Sequence, residues 1–175
     1  MTDTPQTRGA APKGAVLRAV DGIVWLAGAL STALILIAFA LTVYAVFMRY
    51  LVNKPLPWSD DVTGWILVAL IMLGAAEAYR RNAHIAIDLA TSRFGPRAKR
   101  MQAYFADLAV LAFSIVLGIS SWDAVHFAHS FGAYTSGTVE VPQWMVQLPL
   151  VAGAALLALV ALSRILTRLL NGDPQ

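Results

Sequence analysis

The sequence predicts an all-α integral membrane protein with four transmembrane helices. Three observations predict it. Of 175 residues, 58% are hydrophobic and 13% are charged, about half the charge of an ordinary soluble domain. Four long apolar runs lie along the chain, without the alternation of strands or the short repeats of a barrel. The basic residues gather on alternate connections between those runs. Helices satisfy their own backbone in lipid, so four helices packed into one bundle follow. The chain has no cysteine, which excludes disulfides, thiolate metal sites and thiol nucleophiles.

Residues 1–21 are polar and rich in Pro and Gly, a cytoplasmic tail leading into the membrane. The apolar run behind them is longer than a signal-peptide core and lacks a clear cleavage site, so no cleaved leader is expected. A spanning helix needs roughly 20 mostly apolar residues. Span one is 23–48, with no charge. Span two is 62–78, with Glu77 at its end. Span three is 103–122, interrupted by Asp107. Span four is 144–162, with Gln147 and Pro149 near its start. The membrane domain is thus 22–166, followed by a cytoplasmic tail, 167–175.

Eleven of the 13 basic residues lie in the N-terminal tail, the 79–102 connection and the stretch after span four, where Arg164 and Arg168 sit. The 123–143 loop holds none. Both termini and the second connection are therefore expected on the cytoplasmic side, N-in and C-in, with residues 49–61 and 123–143 facing outward. In the second connection, Ile85, Leu89 and Ser92 share one helical face, which predicts a short interfacial helix between spans two and three. Gly95-Pro96 ends it, and the helical pattern then runs unbroken from 96 to about 130, longer than the membrane is thick.

The first outward stretch, "RYLVNKPLPWSDDV", concentrates polar chemistry. Arg49 closes span one at the headgroups, where snorkelling to phospholipid is the simplest role. The prolines prevent a continuous helix. Trp58 sits at interface level. Ser59 or Asp60 is placed to cap span two, with Asp60 and Asp61 near its positive end. Glu77 and Arg81 are spaced to pair on one helix face, and so are His84 and Asp88. The His–Asp pair comes without a nucleophile and points to local or partner hydrogen bonding. Asp107, an acid inside a span, is expected to meet a protein partner or to reach the interface. Asp123, His126 and His129 form an i, i+3, i+6 row that drifts around its helix, a poor metal geometry. No phosphate loop, metalloprotease motif or catalytic triad is present. The basic connection is explained by orientation, so no nucleic-acid partner is expected.

Three motifs carry a resemblance. "N-x-P-L-P-W-S-D-D" opens span two, "G-A-A-x-A-x-R-x-x-x-H-I-x-I-D" closes it, and "V-E-V-P-Q-W" with Trp144 precedes span four, followed by Pro149 and Gly153. Together with four short spans, over residues 20 to 165, they resemble the small membrane subunit of TRAP (tripartite ATP-independent periplasmic) transporters. That family more often has glutamate after W-S, where this chain has two aspartates. The resemblance implies an inner-membrane, non-enzymatic scaffold for a large transport subunit, in a system where a periplasmic binding protein delivers an organic anion. It implies no cofactor here and sodium coupling in the large subunit. Together with the residue-level reading above, it leaves Arg49, Trp58, Asp60, Asp61, His84, Asp88, Asp107 and Trp144 as partner or docking candidates. Gly74, Ala75, Gly153 and Ala154 are expected to pack a lateral interface with the larger subunit.

Two other classes compete. A self-contained small exporter needs an acid deep in a span, and Asp107 is the only candidate. A haem-binding anchor needs histidines from facing helices at one depth, yet all three histidines lie at or beyond span ends.

Overall fold

The computed structural model describes residues 15–81 and 96–171. They form four helices: α1 (Ala15–Tyr50), α2 (Trp58–Arg80), α3 (Pro96–Ser130) and α4 (Gln143–Asn171). All four are long and apolar enough to cross a membrane. Among the described residues there is no strand, only one isolated antiparallel bridge between Tyr134 and Pro142. The expected interfacial helix, with His84 and Asp88, lies outside the described residues.

The helices run beyond the apolar stretches. At about 1.5 Å per residue, α1 and α3 each extend about 50 Å, against about 30 Å of hydrocarbon. The uninterrupted pattern from 96 to about 130 is realised as one helix. α4 continues through Asn171, so Arg164 and Arg168 are helical residues and not part of a tail.

The ends have local causes. After α1, Asn53 takes a left-handed conformation (φ 56°), which asparagine tolerates better than most residues. The Lys54 N–H then returns to the Met48 carbonyl at 3.0 Å. Helix α2 starts at Trp58, earlier than the apolar run suggests, and no side chain caps it. The expected cap at Ser59 or Asp60 is not made. Pro57 is already helical (φ −60°, ψ −30°), as its ring predisposes it to be. Ser59 therefore lies inside the first turn, where its hydroxyl donates back to the Leu56 carbonyl at 2.7 Å. Helix α3 ends in a Schellman turn. Gly132 (φ 59°) donates to His129 O, and Ala133 N–H donates to Ala128 O at 3.0 Å.

The four helices expected from the sequence pack side by side as an open row. The order in space is α1, α2, α4, α3, with only slight contact between α1 and α4. A small core of Val20, Val24, Ala76, Tyr79, Leu157, Val160 and Ala161 joins α1, α2 and α4. Lipid tails are as apolar as leucine, so such helices are held by close backbone approach and polar contacts. Both occur here. A Cβ on Gly153 would sit within 3 Å of the Met72 backbone, and one on Gly74 would meet the Ser31 hydroxyl. That hydroxyl donates to Leu70 O at 2.8 Å across the α1–α2 seam. Ala154 is fully buried against α3. Gly74, Gly153 and Ala154 thus pack within the chain, which corrects their expected place at an outer lateral interface.

Much apolar surface remains uncovered. Only 11% of the most apolar window of α3 is buried, and 28% of that of α4. The C-terminal half of α1 exposes Ile35, Leu36, Phe39, Phe47 and Tyr50.

Candidate partner and docking sites

Polar side chains gather at the two ends of the row. At one end, Asp61 in the first turn of α2 accepts hydrogen bonds from two backbone N–H groups of the 131–142 loop. Thr138 donates at 2.7 Å and Val139 at 3.3 Å. The loop is further tied by Thr135, whose N–H donates to Val141 O and whose hydroxyl donates to Val139 O and accepts from Val141 N–H. Gly137 crosses directly over the Asp61 carboxylate, where any Cβ would overlap it. Asp60, one residue earlier, does something different. It faces Arg49 at 3.6 Å, with both side chains largely exposed, and such pairs contribute little.

Trp58 is exposed and Trp144 is half-buried. The Trp144 ring meets His129 edge-on, with centroids 5.8 Å apart. Beneath the loop lies a cleft of about 680 Å³ lined by Asp61, Trp65, Tyr134, Ser136 and Gln147, among others. The buried Gln147 Oε1 there has no hydrogen-bond partner among the described residues.

At the other end, Asp107 is 2% exposed. The Tyr79 hydroxyl donates to its Oδ1. Arg164 Nε lies 3.8 Å from Oδ1, and Arg168 Nε lies 3.1 Å from Oδ2. Arg164 also donates to the Tyr79 carbonyl at 2.9 Å and stacks over the Tyr79 ring. One carboxylate thus joins α2, α3 and α4. Asp107, expected to meet a protein partner or to reach the interface, is held by contacts within its own chain. Glu77 pairs with Arg81 as its spacing predicts, and with Arg80 at 2.6 Å. Arg80 in turn faces Asp21 of α1 at 3.6 Å.

The structure therefore brings Asp60 to Arg49 and Asp61 to the far loop, and puts Asp107 apart at the opposite end. Sequence reasoning missed Tyr79, Arg164, Arg168 and Gly137. A usable signal was present for the arginines. They stand one turn apart on one helix, near the depth of Asp107, the acid that interrupts span three. Gly137 carries no signal until the loop is folded. Asp123, His126 and His129 do not converge with other ligands, and no group of three metal-ligating side chains occurs among the described residues.

Four apolar helices, polar contacts gathered mostly at their ends and wide uncovered apolar faces define a multi-pass membrane protein that holds itself together sparingly. The chain belongs to the DctQ component family of tripartite ATP-independent periplasmic transporters, whose model matches residues 38–171. It is thus a transporter component of the inner membrane. It is similar to the C4-dicarboxylate TRAP transporter small permease protein DctQ of Vibrio cholerae, 30% identical over 106 residues, or 60% of this chain and 46% of that protein. The protein of the same description from Pseudomonas aeruginosa is 28% identical over 120 residues, 67% of this chain and 57% of the relative. The chain thus spans about half the length of these relatives. It is also similar to the sialic acid TRAP transporter permease protein SiaT of Haemophilus influenzae, 28% identical over 86 residues, 49% of this chain and 13% of that protein.

Proposed function

We propose that this chain is the small, non-enzymatic membrane subunit of a TRAP-type secondary transporter. It scaffolds a large transport subunit for sodium-coupled uptake of an organic anion delivered by a periplasmic binding protein. The observation that carries the reading is the open row of helices in a chain of this family. α1 and α3 stand at opposite flanks with most of their apolar surface uncovered, which suits a lateral partner in the membrane. The sialic acid permease supports it, because a segment like this one is a small fraction of that longer permease. The relatives named for C4-dicarboxylate and sialic acid support an organic anion as substrate.

In this reading both termini face the cytoplasm, and the 131–142 loop with Trp58 and the cleft above Gln147 faces the periplasmic protein. Phospholipid covers the faces that the large subunit leaves open. Sodium coupling resides in the large subunit, and this chain needs no cofactor. The self-contained exporter is disfavoured by Asp107, which two arginines and a tyrosine already hold.

The test is reconstitution. The purified chain alone, placed in liposomes under a sodium gradient with a panel of C4-dicarboxylates and sugar acids, should give no saturable uptake. Adding a large subunit and a binding protein of the same transport system should confer uptake. Sodium-dependent uptake by the chain alone would overturn the reading, and so would failure of a tagged chain to retain a large membrane partner on purification.

A further inference from the structure

We infer that Arg164 and Arg168 form a site for the phosphate of an anionic phospholipid at the inner boundary of the membrane. Two guanidinium groups share the single carboxylate of Asp107, so among the described residues the cluster holds one more positive charge than it balances. An unbalanced charge at the edge of a low-dielectric region draws in a counter-ion. The guanidinium groups are not loose. Arg164 is held by the Tyr79 carbonyl and ring, and Arg168 is held over the Tyr104 ring at 5.8 Å. Their Nε sides face Asp107. Each guanidinium carries five N–H donors, more than Asp107 and the Tyr79 carbonyl can accept from the pair. The side chains remain 19% and 21% exposed, enough for an anion to reach those donors.

Depth identifies the anion. Arg164 lies 21 positions after Gln143, the first residue of α4. At about 1.5 Å per residue that is about 32 Å, one hydrocarbon thickness from the other end of the helix. The cluster therefore lies at a headgroup plane, where phosphodiesters are the abundant anions, and planar guanidinium donors match phosphate oxygens. A zwitterionic headgroup brings its own ammonium, so the net positive site selects an anionic one such as phosphatidylglycerol. This assignment does not depend on the transporter reading, since lipid binding is measured on the chain itself.

The full-length chain in detergent would be titrated with phosphatidylglycerol or phosphatidylethanolamine and read by native mass spectrometry, with thermal unfolding as the folding control. Wild type should prefer phosphatidylglycerol by about fivefold, the weight of one basic residue at a membrane surface. Arg168→Gln should abolish that preference while remaining folded. Asp107→Asn, which raises the net charge of the cluster, should strengthen phosphatidylglycerol binding, an increase that a merely structural role would not produce. Should Asp107→Asn fail to fold, the comparison of wild type with Arg168→Gln decides alone. Equal binding of the two lipids by wild type, or an unchanged preference in Arg168→Gln, would overturn the site. Displacement of the lipid by millimolar inorganic phosphate would assign the pocket to a soluble anion and overturn the lipid assignment.

Discussion

The Asp61 carboxylate receives the backbone N–H of Thr138 at 2.7 Å, across 77 positions of sequence. A charged acceptor in the first turn of α2 thus sets the shape of the loop between α3 and α4. The adjacent Asp60 takes no part. The two aspartates have different work, although they look equivalent in the sequence.

Asp61→Ala should therefore act on the loop and Asp60→Ala should not. Hydrogen bonds to a charged group contribute about 1.5–3 kcal/mol in favourable settings, and partial exposure here places the expected loss near the low end. Amide exchange at Thr138 and Val139 should quicken in Asp61→Ala and stay at the wild-type rate in Asp60→Ala. Gly137→Ala should reproduce the Asp61→Ala pattern, because its Cβ would displace the carboxylate. Equal exchange in all three variants would show that the loop holds its shape without the clamp.

Asp107 should be far less tolerant of an apolar replacement than of an amide. Leucine would leave Arg164, Arg168 and the Tyr79 hydroxyl facing an apolar side chain. Removing one partner of a buried ion pair costs about 3–5 kcal/mol, and the partly exposed arginines reduce this to about 2–4 kcal/mol. Asparagine still accepts from Tyr79 and should lose less than half as much. Thermal unfolding in detergent measures the order. Equal midpoints for the two variants would mean that the carboxylate does not tie α2, α3 and α4 together.

Gly153→Ala should loosen the α2–α4 seam, whereas Gly118→Ala should be close to neutral. A Cβ at Gly153 would press on the Met72 backbone, which cannot swing aside. At Gly118 it would meet the Ala154 methyl at 3.7 Å, an ordinary contact. Overpacking of this kind typically costs about 1–3 kcal/mol. A lower unfolding midpoint for Gly153→Ala alone is the expected result, and matching midpoints would refute the close approach.

What the sequence reveals and what it conceals divide along a physical line. Spans are written in local composition, so all four helices were legible, and the unbroken pattern from Pro96 to about Ser130 is one helix. Boundaries erred where polar residues belong to the helix. Trp58 to Asp61 are the first turn of α2, yet they read as connection. Partners were legible only when they share a helix, as with Glu77 and Arg81. Those of Asp107 come from two other helices, and that of Asp61 is backbone, which no residue type announces. The small residues were recognised as packing residues, but composition does not say whether they pack inward or outward. Gly153 lies against Met72 of the same chain, and only the three-dimensional order of α2 and α4 shows it.

Topology gives the last prediction. The ends bearing Arg80, Arg81, Arg164 and Arg168 lie on one side of the helix row, together with Asp21 at the start of α1. The opposite side bears the loop with Thr138 and the turn with Lys54. Short basic connections stay in the cytoplasm, so the chain should sit with both termini inside. Single cysteines at Lys54, Thr138 and Arg93 can be introduced without competition, since the chain has none of its own. In cells with a permeabilised outer membrane and an intact inner one, an impermeant maleimide should label positions 54 and 138 promptly. Position 93 should react only after the inner membrane is opened. Prompt labelling at 93 with protection at 54 and 138 would invert the orientation and move the Asp61-clamped loop to the cytoplasm, away from any periplasmic binding protein.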